Sequence, residues 1–366
     1  MGMIELEGYM IFEPEDFVVE ELPLYQPSGH GTHTYFAIRK RNLTTIEAIN
    51  QIARVLQVNS RNIGYAGLKD KRAITTQVLS VEGVMPQMLL QIELPWIEVL
   101  WAKRHEHKLR VGHLRGNRFE VTLRELSSNV LVAVRDEMVR LETEGVPNRF
   151  GVQRFGNKQD SHLIGKALLK NEWMEALGYV LSDGTAQNGH LKKRVERELE
   201  QGSDEEAVMC IPHRLRKLYL SAYQAYLFNC IVDKRLPNLG KLYDGDIAIK
   251  HSNGAPFLVE NAQIEQPRAD AFEISPSGPI FGYKMRQPTG MVQEMELELL
   301  DTEGVDPTAF RRVAGIRLPG TRRPLRVLLE LHQVVAVDIG IRLCFSLPSG
   351  SYATVVLDEI KGNFVD

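Results

Sequence analysis

Apolar residues alternate with polar ones in short runs near both ends of the chain, and recur every three to four positions through its middle. Alternation marks strands, whereas the 3.6-residue period marks helices. The first pattern predicts strand–turn–strand over 9–20, with Pro14-Glu15-Asp16 as the punctuation before Phe17-Val18-Val19. A polar, Gly-rich loop over 29–34 precedes a short strand at 35–38. Further strands are predicted at 63–67, 76–81, 96–103, 108–114 and 118–124. A helix opens at Thr44, a residue type that caps N-termini, with Glu47 at the capping-box position. Ile46, Ile49, Ala53 and Leu56 fall on one face of it, and it is expected to end near Gln57. Another helix is predicted over 130–144.

The character changes at Gly145-Val146-Pro147-Asn148. Helical spacing dominates 161–170, 172–181, 190–200 and 216–235, where Tyr219, Tyr223 and Tyr226 are better read as core than as exposed stacking rings. After Pro237 come short strands and turns, Pro276 to Pro279 among the latter. Alternation returns at 327–329, 334–337 and 341–347, before a last helix capped by Ser351 and ending near Ile360. A β-rich beginning and end around a helical middle predict an α+β core, residues 1–144 with 326–366, interrupted by an inserted domain over 145–325.

Composition narrows the class. The chain has 366 residues, 43% apolar and 25% charged, values of a soluble globular protein with a sizeable core. No run reaches the roughly 18–20 apolar residues of a membrane span, and the acidic start from Glu5 is not a secretory leader. Cys210, Cys230 and Cys344 are too scattered for a disulfide framework or a zinc site, so a reducing, cytoplasmic setting fits. His105/His107 and His30/His33 lack a third ligand at metal spacing, so no metal is expected. Nucleotide-cofactor motifs fail too. Gly29-x-Gly31 has no third glycine, and Gly165-Lys166 is followed by Ala167 where a phosphate loop needs Ser or Thr. No GxSxG elbow or HExxH occurs.

Net charge is −3, but it is segregated. Residues 101–118 hold six Lys/Arg against Glu106 alone, and 311–326 hold six arginines and no acid. Acid gathers at 198–206 and 294–303. Such segregation can build a positive surface for a phosphate backbone. Charges that balance in three dimensions explain it equally well.

Lys69-Asp70-Lys71-Arg72 places one carboxylate among three cations. Positive neighbours favour its ionised form well below neutral pH, and an ionised carboxylate can serve as nucleophile or base. Lys69, Lys71 and Arg72 can hold phosphates beside it. Alone, the tetrapeptide reads more simply as a charged turn. The longer string does not. Gly64-Tyr65-Ala66-Gly67-Leu68-Lys69-Asp70-Lys71-Arg72-Ala73-Ile74-Thr75-Thr76-Gln77 closely resembles the active-site signature of the TruD family of tRNA pseudouridine synthases. Further blocks resemble the family in the same order: residues 14–19, 108–119, 145–156, 220–229 and 347–354.

The resemblance implies a pseudouridine-synthase core with a mixed, mainly antiparallel sheet, interrupted by a large TRUD domain. It implies isomerisation of uridine in tRNA, with uridine 13 as the usual target, Asp70 as the catalytic carboxylate, and no cofactor. By matched position, Phe17, Asn117, Phe119 and Tyr352 are its substrate contacts; the rings offset the cost of extruding a base. Arg110 and Arg118, with Lys103, Arg104 and Lys108, and Arg322, Arg323 and Arg326, are expected to line a tRNA-binding cleft between core and insertion. The expected protein is a cytoplasmic monomer with tRNA as partner. Two alternatives stand beside it: an RNA-binding protein that no longer turns over, and an RNA-modifying enzyme of another chemistry, for which no methyl-donor site is recognisable.

Overall fold

A computed structural model describes residues 5–6, 9–10, 13–124, 126, 130–156, 158–182 and 189–362. Positions 11 and 12 of the first predicted strand lie outside the described residues. In chain order the first part contains β1 (Phe17–Pro23), β2 (His33–Arg41), α1 (Thr45–Leu56), β3 (Gly64–Tyr65), β4 (Ile74–Glu82), β5 (Ile97–His105), β6 (Leu114–Arg124) and α2 (Leu131–Glu144). The middle contains α3 (Ser161–Leu169), α4 (Trp173–Ser182), α5 (Gly189–Gln201), α6 (Asp204–Met209), α7 (His213–Arg235), β7 (Ile247–Lys250), β8 (Pro256–Leu258), α8 (Ala262–Asp270), β9 (Ile274–Ile280), α9 (Gly290–Thr302) and β10 (Thr321–Pro324). The chain closes with β11 (Glu330–Val337), β12 (Gly340–Pro348) and α10 (Ala353–Gly362). Two compact units result: Met1–Thr143 with Leu328–Asp366, and Glu144–Val327. None of the described helices is long and apolar enough to cross a membrane.

The first unit is built on one sheet of order β11-β12-β6-β1-β4-β2-β5, with β3 also against β4. Every pairing is antiparallel except β1 with β4, so the sheet is mixed and mainly antiparallel. One edge of β4 pairs with β2 along its whole length. The other edge is shared: β1 pairs at Ile74–Thr76 and β3 at Leu79–Ser80. Between them the Val78 N–H has no strand partner on that edge, and Glu21 supplies one, its Oε2 accepting at 2.8 Å. A buried N–H left unpaired is costly. A buried carboxylate thus fills a split in the sheet.

Helix α1 starts as its residues dictate. Thr44 Oγ1 accepts from Glu47 N–H at 3.1 Å and Glu47 Oε2 accepts from Thr44 N–H at 2.7 Å, while Gln57 ends the helix with φ 55°. Ala48, Ile49, Ile52 and Ala53 pack on Phe36, Ile38, Leu79 and Val81. Ile46, placed by periodicity on the same face, is instead 45% exposed.

Several expectations need correction. Residues 108–113 form a loop rather than a strand, because Gly112 turns the chain at φ 93° and β6 begins only at Leu114. Residues 276–279 lie inside β9, which pairs with β7 through 274–276 and with β10 through 277–280. Changing partner midway lets a strand carry prolines that a continuous ladder would reject. Helices α8 and α9 were not predicted; Pro267 inside α8 argues against a helix by sequence. Helix α10 begins at Ala353, two residues beyond Ser351.

The second unit packs α3 against α7. A Cβ on Gly165 would lie 2.1 Å from the Tyr219 carbonyl oxygen, so only glycine permits that approach. Tyr219 and Tyr223 are buried in this core, as their spacing indicated, while Tyr226 is half-buried against Glu303.

Candidate active site

Asp70 lies in the loop from β3 to β4, and that loop is fastened along its length. Lys69 N–H donates to Thr45 Oγ1 at 2.9 Å, and the same hydroxyl donates to Gln77 Oε1 at 2.9 Å. Lys69 Nζ meets Glu21 Oε1 at 2.9 Å, with both side chains buried. A Cβ on Gly67 would stand 3.2 Å from that ammonium, so glycine leaves it room. Lys40, 0% exposed, donates to the Asp70 carbonyl oxygen at 3.0 Å and to the Leu43 carbonyl oxygen. Two buried lysines therefore bracket the carboxylate, one holding its own backbone and one locked to Glu21.

Register places further residues on the same face. Residues directly opposite across paired strands point to the same side. Lys40 opposes Thr75, Thr75 opposes Val19, and Val19 opposes Phe119. Glu21 opposes Asn117, and Phe119 opposes Phe345. Lys40, Glu21, Asn117, Phe119 and Phe17 thus share the side on which α1 packs. Tyr352 follows β12, whose Pro348 pairs with Gly116 beside Asn117, and it is half-buried. Phe17 and Phe119 are 8% and 6% exposed, 6.1 Å apart, and Phe119 stacks on Phe345 at 5.4 Å. They form a floor rather than open stacking platforms. The Asn117 side-chain oxygen is buried and has no hydrogen-bond partner among the described residues.

The electrostatics differ from the sequence expectation. Asp70 is open to solvent on its outer side, yet the protein packed around it raises its pKa above 3.8. Lys40 and Lys69 pull the other way without prevailing. Water on the outer face limits the elevation. Burial likewise pushes Lys40 down from 10.5 to about 8, with Lys69 adding to the effect and Asp70 and Glu47 opposing it. Glu47 is held at about 2 by the Thr44 backbone and by Lys71.

Comparison with known proteins identifies the family and the fold. The family model of tRNA pseudouridine synthase D (TruD) matches residues 5–205 and 188–360. A protein named tRNA pseudouridine synthase D from Geobacter metallireducens is 44% identical, over 96% of this chain and 94% of its own. One of the same name from Syntrophotalea carbinolica is 43% identical, over 95% and 94%. The chain belongs to the TruD family. A crystal structure from Methanosarcina mazei that carries the TruD name has the same fold, with TM-score 0.81 and 25% identity, covering 98% of this chain and 94% of that one.

Within this TruD chain the cations expected at RNA are not equally placed. Lys69 is engaged by Glu21, and Lys71 by Glu47 at 2.9 Å. Arg72 and Arg110 are exposed. Arg118 is exposed too, but alternation along β6 turns it to the side opposite Asn117 and Phe119. Of the second arginine run, Arg311, Arg312 and Arg317 are exposed, while the three expected at the cleft turn inward. Arg322 forms a buried pair with Glu296 at 2.8 Å, buried Arg326 lies over the Phe272 ring at 4.0 Å, and Arg323 sits 4.3 Å from the Phe150 ring. Among the described residues no group of His, Cys, Asp and Glu can hold a metal ion. Sequence reasoning missed Lys40 and Glu21. Each continues the inward, apolar face of its strand (Phe36, Ile38, Lys40; Phe17, Val19, Glu21), and that was the available signal.

Proposed function

We propose that this chain isomerises uridine to pseudouridine in tRNA, with uridine 13 as the target and Asp70 as the essential carboxylate. The N1–C1′ bond breaks, the uracil turns, and C5 bonds to C1′ while the C5 proton is lost and N1 gains one. Nothing is oxidised and no group leaves, so the reaction balances without a cofactor. The observation that carries the reading is the placement of Asp70: a solvent-facing carboxylate whose backbone carbonyl accepts from buried Lys40, and whose neighbour Lys69 is locked to Glu21, beside the sheet face bearing Asn117.

Substrate contact falls to Asn117, Phe17, Phe119 and Tyr352 in this reading. The unpartnered Asn117 oxygen suits the N3–H of uracil. Phe17 and Phe119 set the floor beneath the extruded base, and Tyr352 offers ring and hydroxyl at its edge. Arg72 and Arg110 are the exposed cations available to phosphates. The core of 1–144 with 326–366 carries catalysis and 145–325 is the TRUD domain of a cytoplasmic monomer. Incubating the protein with unmodified tRNA transcripts and mapping pseudouridine by mass spectrometry tests this. Product at uridine 13 from wild type and none from Asp70→Asn is expected. Full activity in that variant overturns the assignment of Asp70.

A further inference from the structure

Beside the catalytic loop, within the first unit, lies a groove of about 480 Å³, of whose lining the reaction as described uses Arg110 alone. Its apolar wall is formed by Ile46 of α1, Tyr65 of β3 and Val111, and its cations are Arg61, Lys108 and Arg110. No acid lines it. Ile46 and Val111 are 45% and 72% exposed, so large apolar surface faces water beside positive charge. Lys108 Nζ donates to the Arg61 carbonyl oxygen at 2.6 Å, tying two walls together. The Arg61 and Arg110 side chains are exposed and have no acid partner among the described residues.

Both walls run directly into the site. Gly112 N–H donates to the Ala66 carbonyl at 2.9 Å, fixing the 108–112 segment to the catalytic loop. Thr45, next to Ile46, accepts the Lys69 N–H. Tyr65 precedes Asp70 by five residues, at most about 17 Å of extended chain. An apolar and aromatic wall with an arginine rim is how proteins hold single-stranded nucleic acid, bases against rings and phosphates against cations. We infer that this groove binds the RNA strand flanking the extruded uridine, a base or ribose against Tyr65, Ile46 and Val111, and phosphates on Arg61 and Arg110. The inference rests on the isomerase reading above and adds a second point of attachment to it.

The test measures tRNA affinity against salt for wild type, Arg61→Gln, Arg110→Gln and the double variant. Each lost phosphate contact is expected to flatten the slope of log K against log salt by about 0.7, the single-strand value. The affinity loss is expected to be greatest at low salt. Val111→Glu, an acid set in the groove, is expected to weaken binding at least tenfold. Val132→Glu, on the surface of α2 where valine is 65% exposed, is the control for added charge alone. Unchanged affinity and slope in the folded double variant overturns the inference, as does equal weakening by the two glutamates. Wild type that binds through Arg61 and Arg110 but forms no pseudouridine overturns only the isomerase reading and leaves the groove an RNA site.

Discussion

Replacing Lys40 by Met separates holding the Asp70 loop from holding the fold. The two side chains are similar in length and both fit an apolar slot, so the change removes the ammonium and little else. In the wild type the fall from 10.5 to about 8 means the folded protein prefers the neutral amine by about 3 kcal/mol relative to the unfolded chain. Lys40→Met removes that penalty, and against it two carbonyls, of Leu43 and Asp70, lose their donor. Each loss costs about 1–3 kcal/mol. The terms oppose, so the variant is expected to unfold within about 3 kcal/mol of wild type. Turnover has no such compensation. A charged hydrogen bond of about 1.5–3 kcal/mol on the Asp70 backbone corresponds to roughly a 10- to 100-fold loss of rate.

Single-turnover pseudouridine formation at saturating tRNA reads this directly, with denaturant unfolding of the same samples. The pH dependence gives an independent check. As pH rises through about 8 Lys40 loses its proton, its bond to Asp70 becomes neutral and weaker, and the wild-type rate is expected to fall about tenfold. Stability moves the opposite way. Between about 8 and 10.5 the unfolded chain binds a proton that the folded chain has released, so unfolding free energy rises with pH. Both trends should vanish in Lys40→Met. A folded variant that turns over within twofold of wild type refutes the reasoning, and so does a wild-type rate that is level from pH 7 to 9.5.

Other outcomes follow from the same geometry. Asp70→Asn should abolish turnover, keep tRNA affinity, and be no less stable than wild type. Its pKa is raised, so folding favours the protonated acid, and stability falls as pH climbs from 3.8 through the folded value. At neutral pH the ionised carboxylate is a cost that asparagine removes, and a clearly destabilised variant would contradict this. Glu21→Gln leaves Lys69 charged and buried without its counter-ion, a loss of about 3–5 kcal/mol measurable by denaturant unfolding. An unchanged midpoint would show the pair to be dispensable. Arg322→Met breaks the buried pair with Glu296 and should destabilise by a similar amount without changing the salt slope of tRNA binding. A flattened slope would return Arg322 to the RNA surface.

How far the chain can be read without coordinates depends on the range of each interaction. Thr44 and Glu47 cap one another across three residues, so α1 was legible to within a residue at its start. Asp70 stood out because the string around it matches a family pattern over many consecutive positions. Lys40 and Glu21 were hidden among charged neighbours, in Arg39-Lys40-Arg41 and Glu20-Glu21, where only strand register separates the inward residue from those facing out. The end of the arginine run, from Arg322 to Arg326, misled for a related reason. Its partners, Glu296 and the Phe150 and Phe272 rings, lie far away in sequence, and a cation looks alike whether it faces a phosphate or a buried carboxylate. Charge that completes an apolar face of a strand is therefore more informative here than charge that clusters along the chain. Applied to β1 and β2, that rule finds Glu21 and Lys40, which fasten the loop around Asp70; applied to 322–326, where no strand alternation was recognised, it gives no warrant for an RNA surface.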